Sequence, residues 1–279
     1  LPVCGADTFC GRYLNDARIS LEFRRAEGVV CRYKEAAPAT RIYAIFGPFR
    51  VGNPVLVRLL IDRNDKMLRR LVLIRHGQSE WNLEKRFTGL RDPALTTTGA
   101  LEAREAGKKL LALNMTFEIA FTSELRRAQQ TLEIVLDEIG QKTTPTVFSA
   151  AINERDYGDL SGMSKSEAKK KWGEEQVRLW RRSFDVAPPN GESLGDTVAR
   201  VTPFFTVELL PRVMRGENVL VVAHGNSLRA LAMGLEGLTP ETIADLEIST
   251  ADIRLYEFDA DAKIVSRKVY RSTQAVHES

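Results

Sequence analysis

The sequence predicts an α/β domain in three layers, a largely parallel central sheet flanked by helices. Three observations predict it. Short, wholly apolar runs, LVLI at 71–74 and VLVVA at 219–223, read as strands buried on both faces. Segments with helical periodicity lie between the strands, and strands alternating with helices give a mainly parallel sheet. The chain has 279 residues, 43% hydrophobic and 28% charged, which is the balance of a globular protein with room for one large domain or two small ones.

The elements follow in order from Met67. Leu71–Ile74 is the first buried strand. Over 100–113, Ala103, Ala106, Leu110 and Leu113 form one helical stripe. Residues 117–121 (FEIAF) read as a second short strand. Ser123 is expected to cap the next helix, whose stripe is Leu125, Ala128, Leu132, Leu136 and Ile139, with Gly140 past its end. Ser193 opens a further helix to about Met214, with Asp196 placed for a capping box. Pro203 and Pro211 fall inside it and predict kinks or a break. Val219–Ala223 is the third buried strand, and Ile253–Phe258 and Ile264–Tyr270 flank a turn at 259–262 as a hairpin.

Residues 1–66 differ from this pattern. They show no clear helical or strand period beyond a candidate strand at Pro54–Ile61, and they hold all three cysteines, Cys4, Cys10 and Cys31, with no CxxC pair. An odd count at these spacings predicts neither a disulfide framework nor a zinc site. The chain opens on Leu1 and its first methionine is Met67, so translation is expected to begin at Met67. On that expectation 1–66 is an extension of doubtful order outside the native protein, or else a short targeting or docking arm, and 67–279 is the catalytic domain. The charge divides the same way. The net +3 comprises +4 over 1–66 and −1 over 67–279, so the larger part carries no long basic stripe for nucleic acid. No apolar stretch approaches the ~20 residues of a membrane span, and no signal-peptide pattern opens the chain. The expected location is the cytoplasm.

Two of the three histidines stand in matched places. His76 follows LVLIR and precedes Gly77; His224 follows VLVVA and precedes Gly225. Ligands of open α/β sheets bind beyond the carboxyl ends of strands, so neighbouring strands would bring these two imidazoles together. Each glycine would let the chain turn and a ligand approach. Taken alone, either histidine could be structural. Arg75, ending an apolar strand, needs an anionic or hydrogen-bonding partner, and Arg127, in the first turn of its helix, could grip an anion in bidentate fashion. The group describes a phosphate pocket. With no GxxxxGK[ST] loop and no convincing acidic cluster for Mg²⁺, the remaining chemistry is covalent, an imidazole nitrogen attacking phosphorus. Glu154, in NERDYG at 153–158, is the candidate proton donor, provided it faces the histidines. His277 lies in the tail with no assigned role.

RHGQSEWN (75–82), RFTG (86–89), TSELRRAQQT (122–131), NERDYG (153–158), WRRSF (180–184) and AHGNS (223–227) resemble the histidine phosphatase superfamily and, within it, the cofactor-dependent phosphoglycerate mutases. The resemblance covers 67–279 and none of 1–66. It implies that His76 is phosphorylated during turnover, that Glu154 donates and accepts the proton, and that His224 stabilises the transition state. Arg75, Asn82, Arg127, Gly225 and Asn226 then contact phosphoryl groups, and Thr88, Gly89, Arg155, Tyr157, Lys165, Arg181 and Arg182 contact phosphoglycerate. Gly77, Gln78, Ser79, Glu80, Trp81 and Asp156 complete the implied substrate-binding set. Lys165, Arg181 and Arg182 would equally suit a solvated helix face.

The implied reaction interconverts 2-phosphoglycerate and 3-phosphoglycerate in glycolysis and gluconeogenesis. 2,3-Bisphosphoglycerate is its primer and intermediate, and no metal, nucleic acid or membrane takes part. Monomer or homo-oligomer is left open. Two departures bear on activity. Asp156 stands where many relatives have His, and only Ala187–Gly191 separates WRRSF from Glu192, where many mutases carry a longer insertion. A more open site admits water, so a broad or sugar-phosphate phosphatase is the alternative on the same fold. A non-catalytic phospholigand-binding protein is the alternative of another class.

Overall fold

The computed structural model describes residues 69–272 in full and, of 1–68, the backbone of five short strands. The chain divides into two units, Leu1–Lys66 and Met67–Ser279. In the first, β1 (Thr8–Phe9), β2 (Ile19–Glu22), β3 (Val30–Tyr33), β4 (Arg41–Ile45) and β5 (Arg58–Asp62) pair antiparallel in chain order. The candidate strand Pro54–Ile61 contributes its second half to β5, and its first half lies outside the described residues. The other four strands escaped the sequence because two to five residues hold too few alternations to establish a period. The three cysteine side chains, Met67 and His277 lie outside the described residues.

The second unit is built on a six-stranded sheet of order β11-β10-β6-β9-β7-β8. Its strands are β6 (Arg69–Arg75), β7 (Ile119–Thr122), β8 (Thr146–Phe148), β9 (Val219–Ala223), β10 (Ile253–Phe258) and β11 (Ile264–Tyr270). β6, β9, β7 and β8 run parallel; the β10–β11 hairpin joins β6 antiparallel, so the sheet is mixed.

The strands' period of two sorts their side chains between two cores. Leu71, Leu73, Phe121, Val219 and Val221 pack with Val201, Phe204, Val213, Leu228 and Leu231. These come from α6 (Leu194–Phe204), α7 (Leu210–Met214) and α8 (Gly225–Glu236). Val72, Ile74, Ala120, Leu220 and Val222 pack on the other face with Ala106, Leu110, Leu132 and Val135, from α2 (Thr97–Ala112) and α3 (Arg126–Glu138). Each buried Val, Leu, Ile or Phe among them contributes about 1.5–3 kcal/mol. Helices on both faces put the central strands out of water and leave only their ends for chemistry.

Two expectations change. Ser123 does not cap α3: the helix begins three residues later, after Leu125, and Ser123 is turned to another use described below. The helix from Ser193 is capped by Ser193 and Asp196 as expected, but the interruption at its prolines is a change of helix type: the α-helix ends at Phe204, one residue after Pro203, and resumes at Leu210. A π turn at Phe205–Leu209 joins α6 to α7. Pro211 then falls in the first turn of α7, where a missing N–H is tolerated. Four short α-helices, α1 (Glu80–Leu83), α4 (Lys165–Trp172), α5 (Glu174–Arg182) and α9 (Pro240–Ile243), and two 3-10 turns, Ala150–Ile152 and Gly158–Leu160, complete the described part of the unit. Among the described residues, no helix is long and apolar enough to cross a membrane.

Candidate active site

The parallel register of β6 and β9 pairs Arg75 with Ala223, and the His76 amide continues the ladder by donating to the Ala223 carbonyl at 2.9 Å. The next residue of each strand is a histidine. Both leave the sheet at the same edge, and their ring centroids lie 5.0 Å apart at an interplanar angle of 57°.

The His76 ring is held in one tautomer. Its Nδ1 lies 2.7 Å from the Gly77 carbonyl, which can only accept, so the proton sits on Nδ1 and Nε2 keeps its lone pair. Arg127 Nε donates toward that Nε2 at 3.4 Å. Burial, then the positive charges of Arg127 and Arg75, hold the imidazole well below its ordinary 6.5, although the Gly77 carbonyl pulls the other way. His224, the residue before α8, is fully buried. Burial, then Arg127, His76, Arg75 and Arg200, lower its pKa too. Its Nε2 shares a 2.7 Å hydrogen bond with Ser123 Oγ. Ser123 is therefore a site residue that the sequence presented as a helix cap; its position directly after a strand end was the available signal.

Arg127 is 1% exposed and is used differently from expectation. Its two terminal nitrogens donate to the Arg91 and Gly89 carbonyls at 2.7 and 3.0 Å, so the fork is spent on main chain and only Nε faces the histidines. Burial pushes its pKa down to about 10, against the attraction of Glu154 and Asp92.

Glu154 is buried, and its Oε1 accepts three N–H groups: the Arg155 amide at 2.8 Å, the Asn226 amide at 3.1 Å and Asn226 Nδ2 at 3.0 Å. One of these is a first-turn amide of α8, a position that favours negative charge. The second oxygen, Oε2, turns to Gly225, where a Cβ would stand 3.8 Å from it. Arg155 is fully buried, and none of its guanidinium nitrogens meets a hydrogen-bond acceptor among the described residues. It lies 4.6 Å over the Tyr157 ring. Burial raises the Tyr157 phenol, but Arg155, with the Asn226 hydrogen bond, brings it below its usual value.

A pocket of about 120 Å³ opens beside this floor. Of the expected residues, it is lined by Arg75, Asn82, Thr88, Gly89, Glu154, Tyr157, Lys165, Arg181, Arg182, Gly225 and Asn226. Lys165 opens α4, and Arg181 and Arg182 end α5, so two helix termini turn their charged ends into one cavity. The remaining expected residues serve other contacts. Gly77 lies where a Cβ would stand 2.2 Å from the Gly99 carbonyl, so it permits the chain to touch α2 rather than a ligand. The Gln78 amide donates to buried Glu102 at 2.7 Å. Ser79 caps α1 in a box with Asn82, Glu80 is its exposed first residue, and Trp81 stands against Gly162. Asp156 accepts the Gly158 amide at 2.9 Å and shapes the turn.

The pocket also has linings not expected from sequence: Arg86, Phe87, Arg229, Glu247, Ile248 and Ser249. Arg229 follows Asn226 by one helical turn, a spacing that could have indicated it. No group of three or more His, Cys, Asp or Glu among the described residues could hold a metal ion.

Two buried imidazoles meet at the carboxyl edge of a parallel pair of strands, with arginines around them, an arrangement suited to an anionic ligand. The comparisons name it. Residues 71–269 match the family model of the histidine phosphatase superfamily (branch 1). A 2,3-bisphosphoglycerate-dependent phosphoglycerate mutase of Bradyrhizobium sp. (strain BTAi1) is 59% identical over 199 residues, 71% of this chain and 96% of the relative. A mutase of the same name from Methylobacterium sp. (strain 4-46) is 59% identical over 203 residues, 73% and 98% of the two chains. Among solved structures, a mycobacterial glucosyl-3-phosphoglycerate phosphatase complexed with VO3 matches with TM-score 0.62 and 25% identity, over 74% of this chain and all of that one. Bacillus stearothermophilus YhfR matches equally, TM-score 0.62 and 25% identity, over 75% and 99%. The chain belongs to the histidine phosphatase superfamily and, within it, to the family of 2,3-bisphosphoglycerate-dependent phosphoglycerate mutases.

Proposed function

We propose that this enzyme interconverts 2-phosphoglycerate and 3-phosphoglycerate through a phosphohistidine at His76, in the cytoplasm, as a step of glycolysis and gluconeogenesis. One observation carries the reading: the unprotonated Nε2 of His76, beside a second imidazole and next to a pocket lined by cations. A bare phosphate needs only the floor. A ligand with phosphate and carboxylate groups needs Lys165, Arg181 and Arg182 as well, and the guanidinium of buried Arg155 has no hydrogen-bond acceptor within bonding geometry among the described residues. The residues therefore fit 2,3-bisphosphoglycerate, which when bound supplies a phosphoryl group to His76.

Each floor residue has a task in that scheme. His76 attacks phosphorus with Nε2, while its Nδ1–H bond to Gly77 keeps the tautomer and offsets positive charge on the ring. Arg127 Nε, already aimed at Nε2, supports the transferring oxygens, and the neutral His224 ring, fixed by Ser123, offers its other nitrogen to them. On return, the P–Nε2 bond breaks, a P–O bond forms to a substrate hydroxyl, and the hydroxyl proton passes to Glu154, whose Oε2 is the oxygen left for it.

The test is a coupled mutase assay, with and without 2,3-bisphosphoglycerate, run beside a measurement of free phosphate. Isomerisation that depends on the bisphosphate supports the reading. Phosphate release from 3-phosphoglycerate without isomerisation overturns it in favour of a phosphatase, and binding with no turnover leaves a phospholigand-binding protein.

A further inference from the structure

The end of the segment 244–249, Glu247 to Ser249, forms one wall of the pocket, and four arginines from other parts of the chain hold the segment's backbone. Arg182 donates to the Ala244 carbonyl at 3.0 Å, Arg229 to Leu246 at 2.6 Å, Arg271 to Glu247 at 3.2 Å and Arg75 to Ile248 at 2.8 Å. Main-chain acceptors thus fix this wall whatever side chain stands at 247. The Glu247 carboxylate itself turns to the pocket and takes the other Arg182 nitrogen, Nη2, at 3.1 Å. Among the described residues lining the pocket only Glu154 and Glu247 are acidic, and Glu154 is saturated by amides on one oxygen. A carboxylate in a cavity for anions repels them and occupies a cation they would use.

We propose that Glu247 is a built-in competitor for the anionic group of the ligand farthest from His76, and that it sets how strongly the pocket prefers a monophosphorylated to a bisphosphorylated three-carbon acid. The inference rests on the proposed function. Its logic is charge. A ligand reaching only the histidine floor leaves the Arg182–Glu247 pair intact. A ligand with a second phosphate must displace the carboxylate from Arg182 and then lie beside it, so its affinity is held down and the bisphosphate remains exchangeable.

The experiment titrates three ligands calorimetrically: inorganic phosphate, 3-phosphoglycerate and 2,3-bisphosphoglycerate. The protein carries His76→Ala to prevent phosphoryl transfer, with Glu247, Glu247→Gln or Glu247→Asp. Glu247→Gln should tighten 2,3-bisphosphoglycerate about threefold to fivefold, as expected for a partly exposed pair. It should change phosphate by less than about twofold, and added salt should shrink the difference. Glu247→Asp, which keeps the charge, should return the ratio toward that of Glu247. Equal changes for all three ligands, or none, would overturn the proposal and reduce Glu247 to a structural residue. Mutase turnover of the wild type is measured apart, so failure of the enzymatic reading is seen independently of this ratio.

Discussion

At the histidine floor beside the pocket, His76 and His224 are 2% and 0% exposed, and each ring has one nitrogen in a 2.7 Å hydrogen bond. At the rim the Arg182 and Glu247 side chains are 33% and 56% exposed and pair across open space. The floor derives its accuracy from burial: two strand ends in register, a carbonyl selecting a tautomer and an arginine locked to main chain. Low dielectric there makes each dipole count and drives both imidazoles to the neutral form a nucleophile needs. The rim works through number and sign of charge in partial contact with water, where single pairs are weak and screened. Bond making should therefore fail when the floor is touched, and ligand choice should shift when the rim is touched.

The sharpest way to break this division is His76→Ala. It should lower kcat by about 10⁴-fold or more. Incubation with labelled 2,3-bisphosphoglycerate should leave no acid-labile label, and equal labelling of the variant would refute the phosphohistidine. Next in size, Arg181→Ala and Arg182→Ala should each raise KM about 10- to 100-fold, the scale of a charge-assisted contact, with a smaller change in kcat. Steady-state kinetics on 3-phosphoglycerate separates the two parameters, and a kcat collapse without a KM change would move these residues to the floor.

A smaller effect is expected of Ser123→Ala, which removes one hydrogen bond from His224. Loss of about fivefold in kcat at constant KM, with a shifted pH profile, matches a positioning role. The remaining effect is on stability rather than turnover. Both histidines titrate below 6.5 when folded, so below that value the unfolded chain binds more protons than the native one. Their contribution is present in full above pH 6.5 and is lost as pH falls below it. Denaturant unfolding should weaken by about 1.4 kcal/mol per pH unit for each histidine until the folded pKa is reached. Replacing both by Gln should flatten that slope; an unchanged slope would mean the rings are not buried neutral.

The sequence alone determined the two strand–His–Gly endings, the parallel strands that carry them and the cations that accompany them. Strand burial and glycine placement are local, and a window of a few residues displays them. It also gave Glu154, through a motif. Tertiary structure alone decided which groups meet. The register of Arg75 on Ala223 sets the 5.0 Å separation of the rings. The path of 89–91 consumes the fork of Arg127, and the start of α3 three residues after Ser123 frees that hydroxyl for His224. Lys165, Arg181 and Arg182 show why local pattern stops there. A polar helix end reads the same whether it faces water or an anion, and only the fold turned these ends inward, opposite a loop whose Glu247 carried no motif at all.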